Sequence, residues 1–154
     1  MSELISGKII SAQINEELRN EVDFLKDRGV EPCLAVILVG EDPASAVYVR
    51  NKKRTCAELG IRSVGHDLPE TTSQDELENL VHDLNNDPSV HGILNQFPLP
   101  NGLDESRVIR TISPEKDVDG LHPLNAGLIA MGQPSFISCT PYGVLQMLKR
   151  SDIS

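Results

Sequence analysis

The sequence predicts an α/β fold of three layers, a mostly parallel sheet with helices on both faces. Three observations predict it. Amphipathic helical stretches alternate with short apolar runs. One run, LAVILV at residues 34–39, is apolar throughout, as in a parallel strand covered on both sides. The connections are short, which implies right-handed crossovers.

The elements follow in order. Residues 7–28 read as an amphipathic helix with Ile10, Ile14, Leu18, Val22 and Leu25 on one face, and Gly29 is placed to end it. The 34–39 strand closes at Gly40. Asp42-Pro43 then supplies an N-cap acid and a first-turn proline, starting a helix that runs to Leu59 with Gly60 as its stop. A weaker strand covers 61–68. Thr72 or Ser73 caps the next helix, which carries Leu77, Leu80, Val81 and Leu84 and ends near Asn86. A third strand covers 90–94, and Pro98 and Pro100 prevent its continuation. A short helix spans about 105–111. Beyond Pro123, Gly127, Gly132 and Pro134 break the chain. A last helix over 141–150 follows, with Thr140 as cap and Pro141 as first position.

In such sheets, sites form beyond the carboxyl ends of the strands. Two segments qualify: the one after Gly40 and the one after Leu94.

Composition excludes several classes. The 154 residues suit one domain with a real core. A net charge of -9 argues against nucleic acid. No apolar run is long enough to cross a bilayer, so no membrane partner is expected. The N-terminus lacks a basic stretch followed by an apolar core, so a cytoplasmic protein is expected rather than a secreted one. Cys33, Cys56 and Cys139 are odd in number and widely spaced, which fits a reducing compartment. The histidines lack ligand spacing, and no metal site is expected.

Four segments carry chemistry. Ser45, Tyr48 and Lys52 are spaced by three and then four residues, so they share one helix face, which Cys56 and Leu59 continue. Lys53 points away from it. A lysine here either snorkels to water or is desolvated beside the aromatic, which lowers its pKa and fits it for acid/base work. The tyrosine offers a flat surface and a hydroxyl. Y-x-x-x-K also occurs in short-chain dehydrogenases, but there a glycine-rich nucleotide loop precedes it and none does here. Arg50, Lys52, Lys53 and Arg54 form a basic cluster, either a solvated face or a local attraction for an anion.

The second segment is GILNQFPLP, residues 92–100. Gln96 lies at a strand end, with an amide that both donates and accepts. The closely spaced prolines suggest a rigid wall. The third is PEKDVDGLHPLNAG, residues 114–127. Asp117 and Asp119 form either a solvated turn or a carboxylate aimed at a cleft. A carboxylate there suits the paired N–H edge of a pterin, whereas a calcium loop lacks its closing glutamate. The fourth is CTPYGV, residues 139–144. Cys139 reads as packing or cleft lining.

Together with VGEDPASAVYVRNKKRTCAELGI, these segments resemble, in this order, the signatures of the FolD family, the bifunctional methylenetetrahydrofolate dehydrogenases/cyclohydrolases. The resemblance covers residues from near 6 to about 149. It implies oxidation of 5,10-methylenetetrahydrofolate with NADP, then hydrolysis of the methenyl product to 10-formyltetrahydrofolate, by a homodimer. It implies that Lys52 is the central acid/base, that Tyr48 stacks on the folate, that Gln96 tunes Lys52, that Asp119 grips the pterin and that Ser45 supports Lys52 and Tyr48. It further implies that Asn95, Phe97, Pro98 and Leu99 line the folate site. Asn95 and Phe97 depart from the usual small apolar residue and leucine.

On this resemblance, residues 1–120 are the folate-binding catalytic domain. Residues 121–154 are connecting helices and the start of an NADP-binding domain. The chain is expected to be a fragment with no cofactor-binding residues of its own, no dehydrogenase activity alone, reduced stability and uncovered apolar surface. A folate-binding or dimer-forming module without catalysis is the alternative.

Overall fold

The computed structural model describes residues 5–151. Its centre is a parallel sheet of three strands in the order β2-β1-β3. These are β1 (Cys33–Val39), β2 (Arg62–Leu68) and β3 (Gly92–Asn95). Six helices accompany them: α1 (Gly7–Lys26), α2 (Pro43–Leu59), α3 (Gln74–Asn86), α4 (Glu105–Thr111), α5 (Pro123–Ala130) and α6 (Cys139–Lys149).

β1 is apolar on both faces because it is covered on both. Cys33, Ala35, Ile37 and Val39 pack with Leu77, Val81 and Leu84 of α3 and with Val108 of α4. Val36 packs with Val49 of α2 and Leu94 of β3, with Leu34, Leu38 and Val118 around them. This alternation is the period of a pleated strand. The expected three-layer α/β fold is therefore the observed one, and the sheet is wholly parallel.

Local chemistry sets the ends of the helices. Ser73 caps α3 through a full capping box with Glu76. Gly60 ends α2 in the left-handed conformation at φ 76°. The α1 helix stops at Lys26, two residues short of the expected end. Its apolar face is covered only in part: Ile10 and Val22 are buried, while Leu18 and Leu25 remain exposed.

The region past residue 120 differs more. The glycines and proline do not abolish structure there. Pro123 occupies the first turn of α5, and the His122 ring nitrogen accepts from the Leu124 N–H at 3.1 Å. The α6 helix begins at Cys139, not after Thr140, and its N-cap Ser138 makes no side-chain bond. Pro141 fits because the first-turn N–H groups of a helix have no intrahelical partner to lose. Asn125 is the only buried residue in these two helices. Leu124, Met131, Tyr142 and Val144 are exposed. A groove of about 780 Å³ lies between α1 and α6, lined by Ile10, Ile14, Leu18, Val144 and Met147 among others.

Asn95 is a core residue. It pairs with Ile37 across the sheet, and strand alternation puts it on the side of Ile93, facing α3. It is 2% exposed, and neither its amide nitrogen nor its oxygen has a partner among the described residues. Asn95→Val removes both unmet groups at similar volume. Urea unfolding is expected to show a gain of roughly 1–3 kcal/mol, and a loss of stability would contradict this account of the core.

Candidate functional site

The site is built at the carboxyl edge of β1 and β3. Asp42 caps α2, its carboxylate accepting from the Ser45 N–H at 2.7 Å. That bond holds the Asp42 carboxyl below the usual carboxylate range. The cap fixes where α2 starts and therefore which face each later residue takes. Ser45, Cys56 and Leu59 are buried on the expected stripe, and Lys52 is half-buried. Tyr48 is 63% exposed, so its ring forms an open surface rather than part of the packing.

The Lys52 amine donates to the Gln96 side-chain oxygen at 3.3 Å. Gln96 is held in turn. Its backbone N–H donates to the Ile37 carbonyl at 2.9 Å, extending the ladder one residue past β3. Its side-chain nitrogen donates to the Phe97 carbonyl at 2.7 Å. That second bond commits the amide: only its oxygen faces the lysine. Gln96 thus presents an acceptor alone, which is narrower than the donor-or-acceptor role expected from its chemistry.

The basic cluster disperses around α2. Lys53 pairs with Asp67 at 3.4 Å, and Arg54 lies 3.7 Å from Glu58. Arg50 is exposed. Lys52 is the member of the cluster that hydrogen-bonds to Gln96.

The wall after β3 divides. Phe97 is half-buried and Pro98 exposed, with a cis bond between them. Asn95 and Leu99 serve the core instead. Asn95 faces α3, away from the α2 side where Lys52 lies, and Leu99 packs against the β1–α3 cluster. The expectation that Asn95 lines the cleft is corrected by the pleat of the strand.

Asp119 comes from a loop tied down on several sides. Asp117 forms an isolated parallel bridge with Ile93. Its carboxylate is 3% exposed and accepts from the His122 N–H at 2.8 Å and the Asn125 amide at 2.9 Å. The Asn125 oxygen accepts from the Ser135 hydroxyl at 2.7 Å. Lys116 donates to the Leu84 and Asp87 carbonyls at 2.9 and 2.8 Å, closing the end of α3. The paired acids therefore do different things: Asp117 anchors the loop and leaves Asp119 for the cleft. The family resemblance singled out Asp119, but the anchoring role of Asp117 and the Asn125–Ser135 support, 8 and 18 residues away, were missed.

Burial pushes the Asp119 carboxyl above its ordinary value, the positive charge of Lys52 and the neighbouring Cys139 thiol oppose that rise, and Asp117 adds to it. Lys52, Gln96 and Asp119 are thus brought to one place, with the exposed Tyr48 one turn earlier on α2. Such a set can hold a flat polar ring and move a proton beside it.

The turn after β1 does not suit a pyrophosphate. After β1, Gly40 at φ 80° leads to α2, but the Asp42 carboxylate already occupies the helix N-terminus where a pyrophosphate would sit. Among the described residues, no cluster of three or more His, Cys, Asp or Glu is arranged to hold a metal.

The raised Asp119 carboxyl sets a pH dependence. A carboxyl that binds its proton more tightly when folded costs stability as pH rises through its unfolded and then its folded value. Asp119→Asn is therefore expected to melt higher than the parent chain at neutral pH. The gap should close as pH falls through the carboxylate range. A gap that widens on acidification would contradict the burial of Asp119.

Known proteins share this fold. Residues 5–119 match the family described as tetrahydrofolate dehydrogenase/cyclohydrolase, catalytic domain. The chain is 54% identical over 153 residues to the bifunctional protein FolD of Agathobacter rectalis, covering 99% of this chain and 55% of that protein. It superposes on the crystal structure of the bifunctional FolD enzyme from Campylobacter jejuni with a TM-score of 0.96 at 47% identity, over 98% of this chain and 54% of that one. A Trypanosoma brucei FolD, solved with NADP cofactor and an inhibitor, gives 0.94 at 33% identity, over 99% and 52% of the two chains. The chain spans about half the length of the curated relatives it matches. By the 5–119 match and these identities, the chain belongs to the tetrahydrofolate dehydrogenase/cyclohydrolase family and carries its catalytic domain.

Proposed function

We propose that this chain is the folate-binding catalytic half of a bifunctional methylenetetrahydrofolate dehydrogenase/cyclohydrolase. The observation that carries the reading is the Lys52–Gln96 hydrogen bond, made in a cleft shared with Asp119. In this reading, residues 1–120 form the folate-binding unit and residues 121–154 lead toward an NADP-binding domain. The exposed apolar side chains of α5 and α6 support a covering element there.

Asp119 accepts the N–H edge of the pterin, with Tyr48 stacked on its face and Phe97 and Pro98 beside it. Ser45, buried one turn before Tyr48, keeps the helix packed behind both functional side chains. Leu99 acts from behind, packing against the core cluster beneath the strand end that carries Gln96.

Methenyl hydrolysis then follows from general acid/base chemistry. Water adds to the bridging carbon and gives one proton to the Lys52 amine. The hydroxyl proton of the adduct passes to N5 as the C–N5 bond breaks, and a formyl group remains on N10. One proton leaves to solvent overall. The Gln96 oxygen steadies the lysine whenever it carries the proton, because it offers an acceptor and nothing else. The oxidation step needs NADP as hydride acceptor, and the Asp42-capped turn after β1 does not suit its pyrophosphate.

The same reading implies a cytoplasmic homodimer that supplies one-carbon units for purine, methionine and histidine synthesis. No described helix is long and apolar enough to cross a membrane.

Lys52→Met, in a protein of the relatives' full length, is expected to slow methenyl hydrolysis by roughly 10²–10⁴-fold. Calorimetry should still detect folic acid binding. Unchanged turnover would remove Lys52 from the chemistry. Binding without turnover in the parent protein would favour a module that holds folate and does nothing to it.

A further inference from the structure

Cys139 lies outside the proposed chemistry, yet the fold brings it against the loop that carries Asp119. Gly120 makes this possible. It follows Asp119 with φ 65°, and an added Cβ would sit 2.6 Å from the Ile137 carbonyl carbon and the Ser138 nitrogen. Only glycine permits that approach. The first residue of α6 thereby comes to the Asp119 loop. The Cys139 sulfur donates to the Val118 carbonyl, the residue just before Asp119, at 3.4 Å.

We infer that Cys139 is a positioning residue for Asp119, its thiol proton shared between the Val118 carbonyl and the Asp119 carboxylate so that the carboxylate is held at the cleft. The inference rests on Asp119 being a ligand-binding group, as proposed above. A thiol has one proton and here two acceptors. An ionised carboxylate is the stronger of them, so ionisation of Asp119 draws the proton from the carbonyl.

The electrostatics agree. Burial first, then the Asp119 charge, push the Cys139 thiol above its ordinary value, with Lys52 opposing and Asp117 adding. The sulfur is thus a donor and not a thiolate nucleophile. The charged groups acting on Asp119 are Lys52 from α2, Cys139 from α6 and Asp117 from its own loop. Of these, Lys52 and Cys139 favour the ionised form.

The test is a carboxyl-carbon NMR titration of Asp119 in this chain with no folate present, the signal assigned by its loss in Asp119→Asn. Cys139→Ala is expected to move the midpoint upward, and Cys139→Ser, which keeps a donor, to leave it near the parent value. Should Cys139→Ala fail to fold, methylthiolation of the exposed Cys139 removes the same proton from the folded chain; Cys33 and Cys56 are buried. The upward shift is again expected. A midpoint that stays or falls on loss of the proton, or a serine variant that shifts as far as alanine, would overturn the inference. Because no folate is present, such a failure leaves the proposed function standing. Loss of folate binding with the shift intact would instead fault the proposed function.

Discussion

The site depends on β1 lying between β2 and β3, with its register fixed at Ile37 opposite Asn95. From that level to Gly40 the chain climbs three residues, roughly 10 Å of strand. It then turns at Asp42 and descends as α2. Lys52 is ten residues beyond the cap, roughly 15 Å down the helix. Helical side chains lean back toward the N-terminus, so the amine returns to the level of Gln96. A one-residue slip in either the cap or the register would separate the two groups. That is why the Asp42 cap and the Gln96–Ile37 ladder bond belong to the site as much as the side chains that face the cleft.

The carboxylate side is held by a different means. Asp119 sits where its charge is disfavoured by burial, and the loop does not relax to expose it. Asp117 prevents that relaxation by using its own carboxylate as a double acceptor beneath the turn. Gly120 admits the backbone of Ile137 and Ser138, just before α6, against the other side. Stability is given up at Asp119 and Asn95, one an ionisable group short of water and the other a core amide without partners. Local rules of good packing are broken most often where a chain does chemistry. Asp119 follows that pattern, while Asn95 lies on the far face of the sheet from Lys52.

Much of this was legible in the sequence because it is encoded within a few residues. The Asp42-Pro43 cap, the Gly60 stop, the apolar β1 run and the three–four spacing of Ser45, Tyr48 and Lys52 are local signals, and each appears where expected. The β3 boundary was displaced because Val90 is buried without being in the ladder, which apolarity alone does not distinguish. The orientation of Gln96, the facing of Asn95 and the division of labour between Asp117 and Asp119 depend on partners 8 or more residues away. No spacing rule reports these. The α5 helix was obscured by Gly127 and Gly132, although Pro123 carried a first-turn signal.

The central claim is that the Lys52 amine works beside bound folate. The most direct measurement follows the Lys52 side-chain carbon next to the amine by NMR, assigned by its loss in Lys52→Met, while folic acid is added to the chain. The account predicts that this signal moves in step with binding, and that Asp119→Asn changes its starting position because the two charges interact. A Lys52 signal that keeps its position at saturating folic acid, while other residues report binding, would contradict it.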